Sequence, residues 1–173
     1  MQEAADEPIR VVVYDPRWPT RFERERALLD HAIGAWAEGG IHHVGSTAVR
    51  GLGAKPIVDI LVGVGDLAGS RACFDPLARL EYLYAPYRTE EMHWFCKPDP
   101  RRRSFHLHLI PTDSARFRDE LALRDLLRAD PEKARAYGEL KYRLAARFAH
   151  DREAYTDAKA DFIARALRES RPA

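Results

Sequence analysis

At 173 residues, with 46% hydrophobic and 32% charged side chains, the chain has the mixture of a globular domain, which excludes a disordered or low-complexity protein. A formal net charge of +1 gives no global drive toward nucleic acid or an anionic membrane, and two isolated cysteines, Cys73 and Cys96, make neither a disulfide framework nor a cysteine-rich zinc site. The acidic start Met1 to Glu7 is unlike a secretory leader, and no apolar run reaches the roughly 20 residues of a membrane helix, so the expectation is a single cytoplasmic domain over residues 1–173 with no membrane partner.

Residues 9–14 are rich in β-branched side chains and read as a short strand ended by Asp15-Pro16. Thr20 and Glu23 have capping-box spacing, and Phe22, Leu29, Ile33 and Trp36 then share a helical face up to Gly39-Gly40. Ile41 to Val44 resumes as a strand and runs into Gly45-Ser46-Thr47; residues 48–56 form a loop. Ile57 to Val64 is apolar on both faces except at Asp59, the pattern of a central strand buried on both sides. A weaker helical segment over 66–80 is interrupted by Pro76. Residues 92–97 and 104–110 form an antiparallel pair joined by a basic turn that includes Arg101, Arg102 and Arg103. Three helices follow: one over 114–128, one opened by Asp130-Pro131, and one capped by Asp151 and running toward Leu167. The fold class is α+β (mixed α/β), with a mixed sheet, flanking helices and a helical C-terminal segment.

A carboxylate within an apolar strand costs several kcal/mol unless it is paired, metal-bound or at an exposed strand end, which makes Asp59 the most informative residue. It is a site residue or a structural partner of an arginine. Gly45, Ser46 and Thr47 offer backbone amides and two hydroxyls to an anion, or are an ordinary turn; Lys55 is a phosphate-directed cation or a solvated lysine. His106 and His108 alternate onto one strand face, where they supply two nitrogen ligands to a metal or simply hydrogen-bond neighbours. With Asp59 they would make a set of two histidines and one carboxylate; His42, His43 and His93 are weaker ligand candidates. Tyr137 with Lys141, and Tyr155 with Lys159, repeat a spacing of four on two helices. Each lysine either snorkels along an apolar stripe or points into a cleft and binds phosphate. The arginine triplet has no interleaved aromatics to stack on bases, which argues against nucleic acid as a partner.

The run His43-Val44-Gly45-Ser46-Thr47-Ala48-Val49, then Gly51-Leu52 and Ala54-Lys55-Pro56-Ile57-Val58-Asp59-Ile60, resembles the signature of the GrpB (UPF0157) family. The likeness continues through His106-Leu107-His108, Phe117-Arg118-Asp119, Leu123-Arg124-Asp125, Tyr137-Gly138-Glu139-Leu140-Lys141, Tyr155 and Lys159. It also extends to the C-terminal domain of actinobacterial dephospho-CoA kinases, although no P-loop precedes it here. The resemblance implies a nucleotidyltransferase-like fold, in which a Gly-Ser turn holds a triphosphate and an Asp-x-Asp pair, with a third carboxylate on a later strand, binds two divalent metals. Gly45-Ser46 and Asp59 match that pattern. Ile57 and Leu61 do not supply the partner acid, and His106 and His108 stand where the later acid would be. By the same resemblance His43, Arg124, Tyr137 and Tyr155 are further site candidates.

Three functions follow. The first is nucleotidyl transfer from a nucleoside triphosphate to a small molecule, with Mg²⁺ or Mn²⁺ on Asp59 and phosphate held by Gly45, Ser46, Thr47, Lys55, Lys141 and Lys159. The second is a non-catalytic module binding a nucleotide, a CoA-like phosphate or a protein. The third is a mononuclear Zn²⁺, Mn²⁺ or Fe²⁺ enzyme using Asp59, His106 and His108.

Overall fold

The structure, a computed structural model, describes residues 8–170. Its centre is β2 (Val58–Val64), whose apolar run is covered on both sides. This strand pairs antiparallel with β1 (Ile41–Val44) and parallel with β5 (Arg102–Pro111). Beyond β5 come β4 (His93–Asp99) and the two-residue β3 (Leu83–Tyr84), both antiparallel to their neighbours, giving the order β1-β2-β5-β4-β3.

Strand alternation divides the sheet chemically. One face carries Val58, Ile60, Val62 and Val64 of β2 with Leu107 and Leu109 of β5, and packs against Trp18, Phe22, Leu29 and Ile33 of α1 (Trp18–Ile33) and Leu77 of α2 (Phe74–Arg79). The opposite face carries Asp59 and Leu61 beside His106, His108 and Ile110, and is covered by α3 (Ala115–Ala129) through Phe117 and Leu121. Two further helices, α4 (Pro131–Arg147) and α5 (Arg152–Ser170), pack with α3 around Val49, Leu52, Leu127, Tyr137 and Phe162. Ser114, Asp130 and Asp151 each accept a backbone N–H at the start of these three helices, as the sequence indicates for Asp130 and Asp151. No helix among the described residues is long and apolar enough to cross a membrane.

Several local expectations are corrected. Residues 9–14 are not a strand: Val12 forms a single bridge with Ala54, while Ile9 bonds the Ala149 carbonyl, so β-branched content here serves packing rather than a sheet. Thr20 and Glu23 do not cap α1. The helix starts earlier, at Trp18, because Asp15 accepts the Arg17 N–H and Pro19 occupies the first turn; Glu23 instead bonds Arg26. The α-helix ends at Ile33, before a 3-10 turn over Gly34–Trp36. Pro76 does not break α2, since it lies in the helix's first turn, where no N–H partner is needed.

Helix α3 approaches the sheet closely over Gly63. A Cβ there would stand 2.7 Å from Gly39 Cα, 2.8 Å from the Phe117 ring and 2.9 Å from the Thr112 methyl. Gly63→Ala is therefore expected to lose about 1–3 kcal/mol of stability in a urea titration. Wild-type stability in that variant would show that α3 is not held at this distance.

Candidate functional site

Asp59 and His106 are direct partners in the parallel β2–β5 ladder, and Leu61 and His108 are the pair two positions on. Both imidazoles and the carboxylate therefore share the face under α3. The side chain of Asp59 keeps 29% exposure toward the cleft, whereas those of His106 and His108 keep 12% and 15%. Asp59 Oδ1 accepts from His106 Nδ1 at 3.0 Å. His108 Nδ1 stands 3.5 Å from Glu120 Oε2 on α3, and Glu120 Oε1 is 3.2 Å from Arg116 Nε. The Nε2 atoms of both histidines are buried with no hydrogen-bond partner among the described residues. One donor atom from each of Asp59, His106 and His108 lies within 4.8 Å of the others, which is metal-site spacing.

The turn after β1 is shaped to this carboxylate. Gly45 adopts φ +70°, which favours glycine, and a Cβ there would lie 2.6 Å from Asp59 Oδ2. Ser46 follows at the cleft margin. A cavity of about 180 Å³ opens between the turn, the Asp59–His108 face and α3; its lining includes Gly45, Ser46, Asp59, Glu120, Arg124 and Tyr137.

Burial pushes the Asp59 carboxyl up, but the His106 hydrogen bond and the charges of His106, His108 and Lys55 outweigh it and hold the group at about 2. Burial lowers His106, and the Asp59 hydrogen bond and charge offset only part of that effect, so the imidazole faces the carboxylate through Nδ1 while its Nε2 stays without a partner among the described residues. His108 is moved the other way. Burial opposes its charge, yet the adjacent Glu120 carboxylate raises it.

The two Tyr–Lys pairs converge from α4 and α5. Lys141 is buried, donates to the Gly53 carbonyl and stands 5.1 Å from the Tyr137 ring centre. Lys159 and Lys55 both lie over the Tyr155 ring, at 4.4 and 5.2 Å. Burial, then repulsion from Lys159, lowers Lys141 to about 7; burial, then repulsion from Lys55, lowers Lys159 to about 8, and Lys55 is depressed by burial as well. Lys141, at 2% exposure, does not snorkel to solvent.

Other candidates lie elsewhere. His43 faces α1, stacked on Phe22 at 4.7 Å, and bonds Thr47 Oγ1 at 2.9 Å; burial lowers it to about 4. Thr47 is thereby turned inward, so of the two hydroxyls in the turn only that of Ser46 borders the cleft. His42 bonds the Gly39 carbonyl and His93 that of Leu67, and neither joins Asp59. Arg124 lines the cleft while bonding the His43 carbonyl at 3.3 Å, and Arg128 holds that of Ala48 at 2.9 Å. Glu120 is the residue that sequence reasoning missed. Its signal was a carboxylate on the helical face of Phe117, Leu123 and Leu127.

The class this architecture defines is a five-stranded mixed sheet flanked by helices, with a polar cleft at the β2–β5 pairing. The chain belongs to the GrpB family: the family model described as GrpB protein matches residues 8–169. The UPF0157 protein PA4798 of Pseudomonas aeruginosa is 39% identical over 169 residues, covering 95% of this chain and 68% of that one. A dephospho-CoA kinase of Mycolicibacterium paratuberculosis is 34% identical over 103 residues, 58% of this chain and 24% of the kinase. The crystal structure of the conserved protein GrpB from Enterococcus faecalis overlays with a TM-score of 0.82 at 30% identity, covering 92% and 96% of the two chains. The GLD-2/RNP-8 complex structure overlays with a TM-score of 0.57 at 14% identity, covering 87% and 60%, a likeness of fold alone.

The buried lysines set a pH signature. Their folded values of about 7 and about 8 lie below the ordinary lysine value of 10.5, so between these limits the unfolded chain binds protons that the folded chain does not. Stability from this source rises with pH from about 7 to 10. Tyr137 and Tyr155, raised by burial, act oppositely only above that window. In phosphate-free buffer the melting temperature should rise less from pH 7.5 to pH 9.5 in Lys141→Met than in the wild type; identical slopes would refute this assignment.

Proposed function

We propose that the cleft carries out metal-assisted nucleotidyl or phosphoryl transfer to a small molecule, centred on one divalent ion rather than two. The observation behind this reading is the joint placement of Asp59, His106 and His108, with donor atoms within 4.8 Å and two buried Nε2 atoms lacking partners. Two imidazole nitrogens and a carboxylate suit Zn²⁺, Mn²⁺ or Fe²⁺ better than Mg²⁺, which prefers oxygen. A bound ion of this kind would polarise a phosphoryl oxygen. Gly45 and Ser46 line the cleft, which supports the phosphate-receiving role that the resemblance implies for them. Glu120, held by Arg116, is a positioning residue for His108. In the nucleotidyl case an acceptor hydroxyl attacks the α-phosphorus of a nucleoside triphosphate and releases its proton to solvent, the bond from the α-phosphorus to the bridging oxygen breaks, and pyrophosphate leaves.

A second reading, binding of a nucleotide or CoA-like phosphate without turnover, draws on the apolar residues Ile57 and Leu61 that flank Asp59 and on the similarity to a dephospho-CoA kinase. Pyrophosphate release dependent on acceptor and Asp59 would remove that reading.

Elemental analysis of the purified protein is the first test. About one equivalent of a transition metal is expected, with a large loss in His106→Ala and His108→Ala and a roughly 10–100-fold weaker affinity in Glu120→Gln. Wild-type metal content in the histidine variants would overturn the single-ion site. For the reaction, Asp59→Asn should abolish pyrophosphate release, and retained activity would exclude the mechanism.

A further inference from the structure

The Asp59 centre leaves one feature of the fold unused: three lysine ammoniums gathered from separate segments of chain. Lys55 comes from the loop before β2, Lys141 from α4 and Lys159 from α5. None of them takes part in an ion pair with a carboxylate of the described residues. Their partners are ring faces and one carbonyl: Tyr155 under both Lys55 and Lys159, Tyr137 under Lys141, and Gly53 O accepting from Lys141. Ring faces compensate part of the lost hydration of an ammonium but leave its charge standing. The nearest anionic influence is Asp59, which acts on all three, while Arg152 and Arg103 add further positive potential at Lys55.

Such a cluster is expensive in an empty protein. Like charges repel, burial penalises each ammonium, and an apolar side chain of similar length would pack there at lower cost. The arrangement becomes favourable once an anion of at least two charges enters, because it neutralises several ammoniums together. Lysine is a compact point charge suited to phosphate, and Lys141 has donors to spare after bonding Gly53. Tyr137, the ring under Lys141, also lines the cleft beside Asp59 and Ser46, so the cluster adjoins that cleft.

We propose that Lys55, Lys141 and Lys159, mounted on Tyr137 and Tyr155, form a phosphate subsite. The substrate class is accordingly a small molecule bearing a polyphosphate or a phosphate dianion, held here by its phosphate while the reacting group lies toward Asp59. The inference deepens the proposed function and rests on it for the reaction alone; anion binding does not require the metal.

The test uses full-length protein stripped of metal with EDTA, titrated calorimetrically with inorganic pyrophosphate, ADP and succinate, the last a dianion without phosphate geometry. Pyrophosphate and ADP should bind, and succinate at least about tenfold more weakly. Lys159→Gln and Lys55→Gln, at half-buried positions and checked for folding by circular dichroism, should each weaken pyrophosphate binding by about tenfold or more. Unchanged affinity in both lysine variants, equal affinity for succinate, or no pyrophosphate binding at millimolar concentration would overturn the subsite. Lysine-dependent binding in a protein that never retains metal would uphold the subsite and reject the metal centre, so the two failures are distinguishable.

Discussion

The parallel pairing of β2 with β5 is the constraint on which the rest of the cleft depends. It sets Asp59 beside His106 in register, and strand alternation then brings His108 onto the same face two positions along. A one-residue slip of β2 would turn the carboxylate into the apolar layer under α1 and expose Ile60 to the cleft, and a slip of β5 would do the same to both imidazoles and Leu107. Register is therefore held by the hydrophobic face, and the polar face inherits its geometry. The turn after β1 is matched to the same point, since only a glycine at position 45 lets the backbone lie against the Asp59 carboxylate. On the far side, Arg124 and Arg128 of α3 hold the carbonyls of His43 and Ala48, which fixes the turn relative to the helix that roofs the cleft.

The fold was legible in the sequence to the extent that burial is periodic. The eight-residue apolar run with one aspartate gave the central strand, and Asp130-Pro131 and Asp151 gave two helix starts, because caps act locally. The failures share a cause. Residues 9–14 have strand composition but no strand edge to pair with, and sheet formation requires a neighbour that local sequence cannot reveal. Thr20 was displaced as a cap by the stronger local turn at Asp15, which starts the helix sooner.

The site was legible in parts. Asp59, His106 and His108 were identified by polarity against an apolar background, and the structure brings them together. His43 and Thr47 were drawn in by a motif, yet they satisfy one another on the other face of β1, a pairing that motif reasoning does not see. The lysines show the limit of periodicity more sharply. A spacing of four fixes which helical face a lysine shares, but whether it reaches solvent depends on what packs over it, and here the Gly53 loop and the Tyr155 ring close above that face.

The charge balance of the cleft bears on its chemistry. Three acids can hold two divalent cations because their charges offset most of those of the ions. This cleft has Asp59, already bonded to His106, and a Glu120 whose oxygens already face His108 and Arg116. That set offsets one ion incompletely and a second hardly at all. Three lysines nearby add positive charge in the same field. None of the three is paired with a carboxylate of the described residues, so their positive potential is opposed chiefly by Asp59. Imidazoles on the strand beside Asp59 and lysines without carboxylate partners thus act in one direction: both leave the cleft with less negative charge of its own than a set of acids would supply.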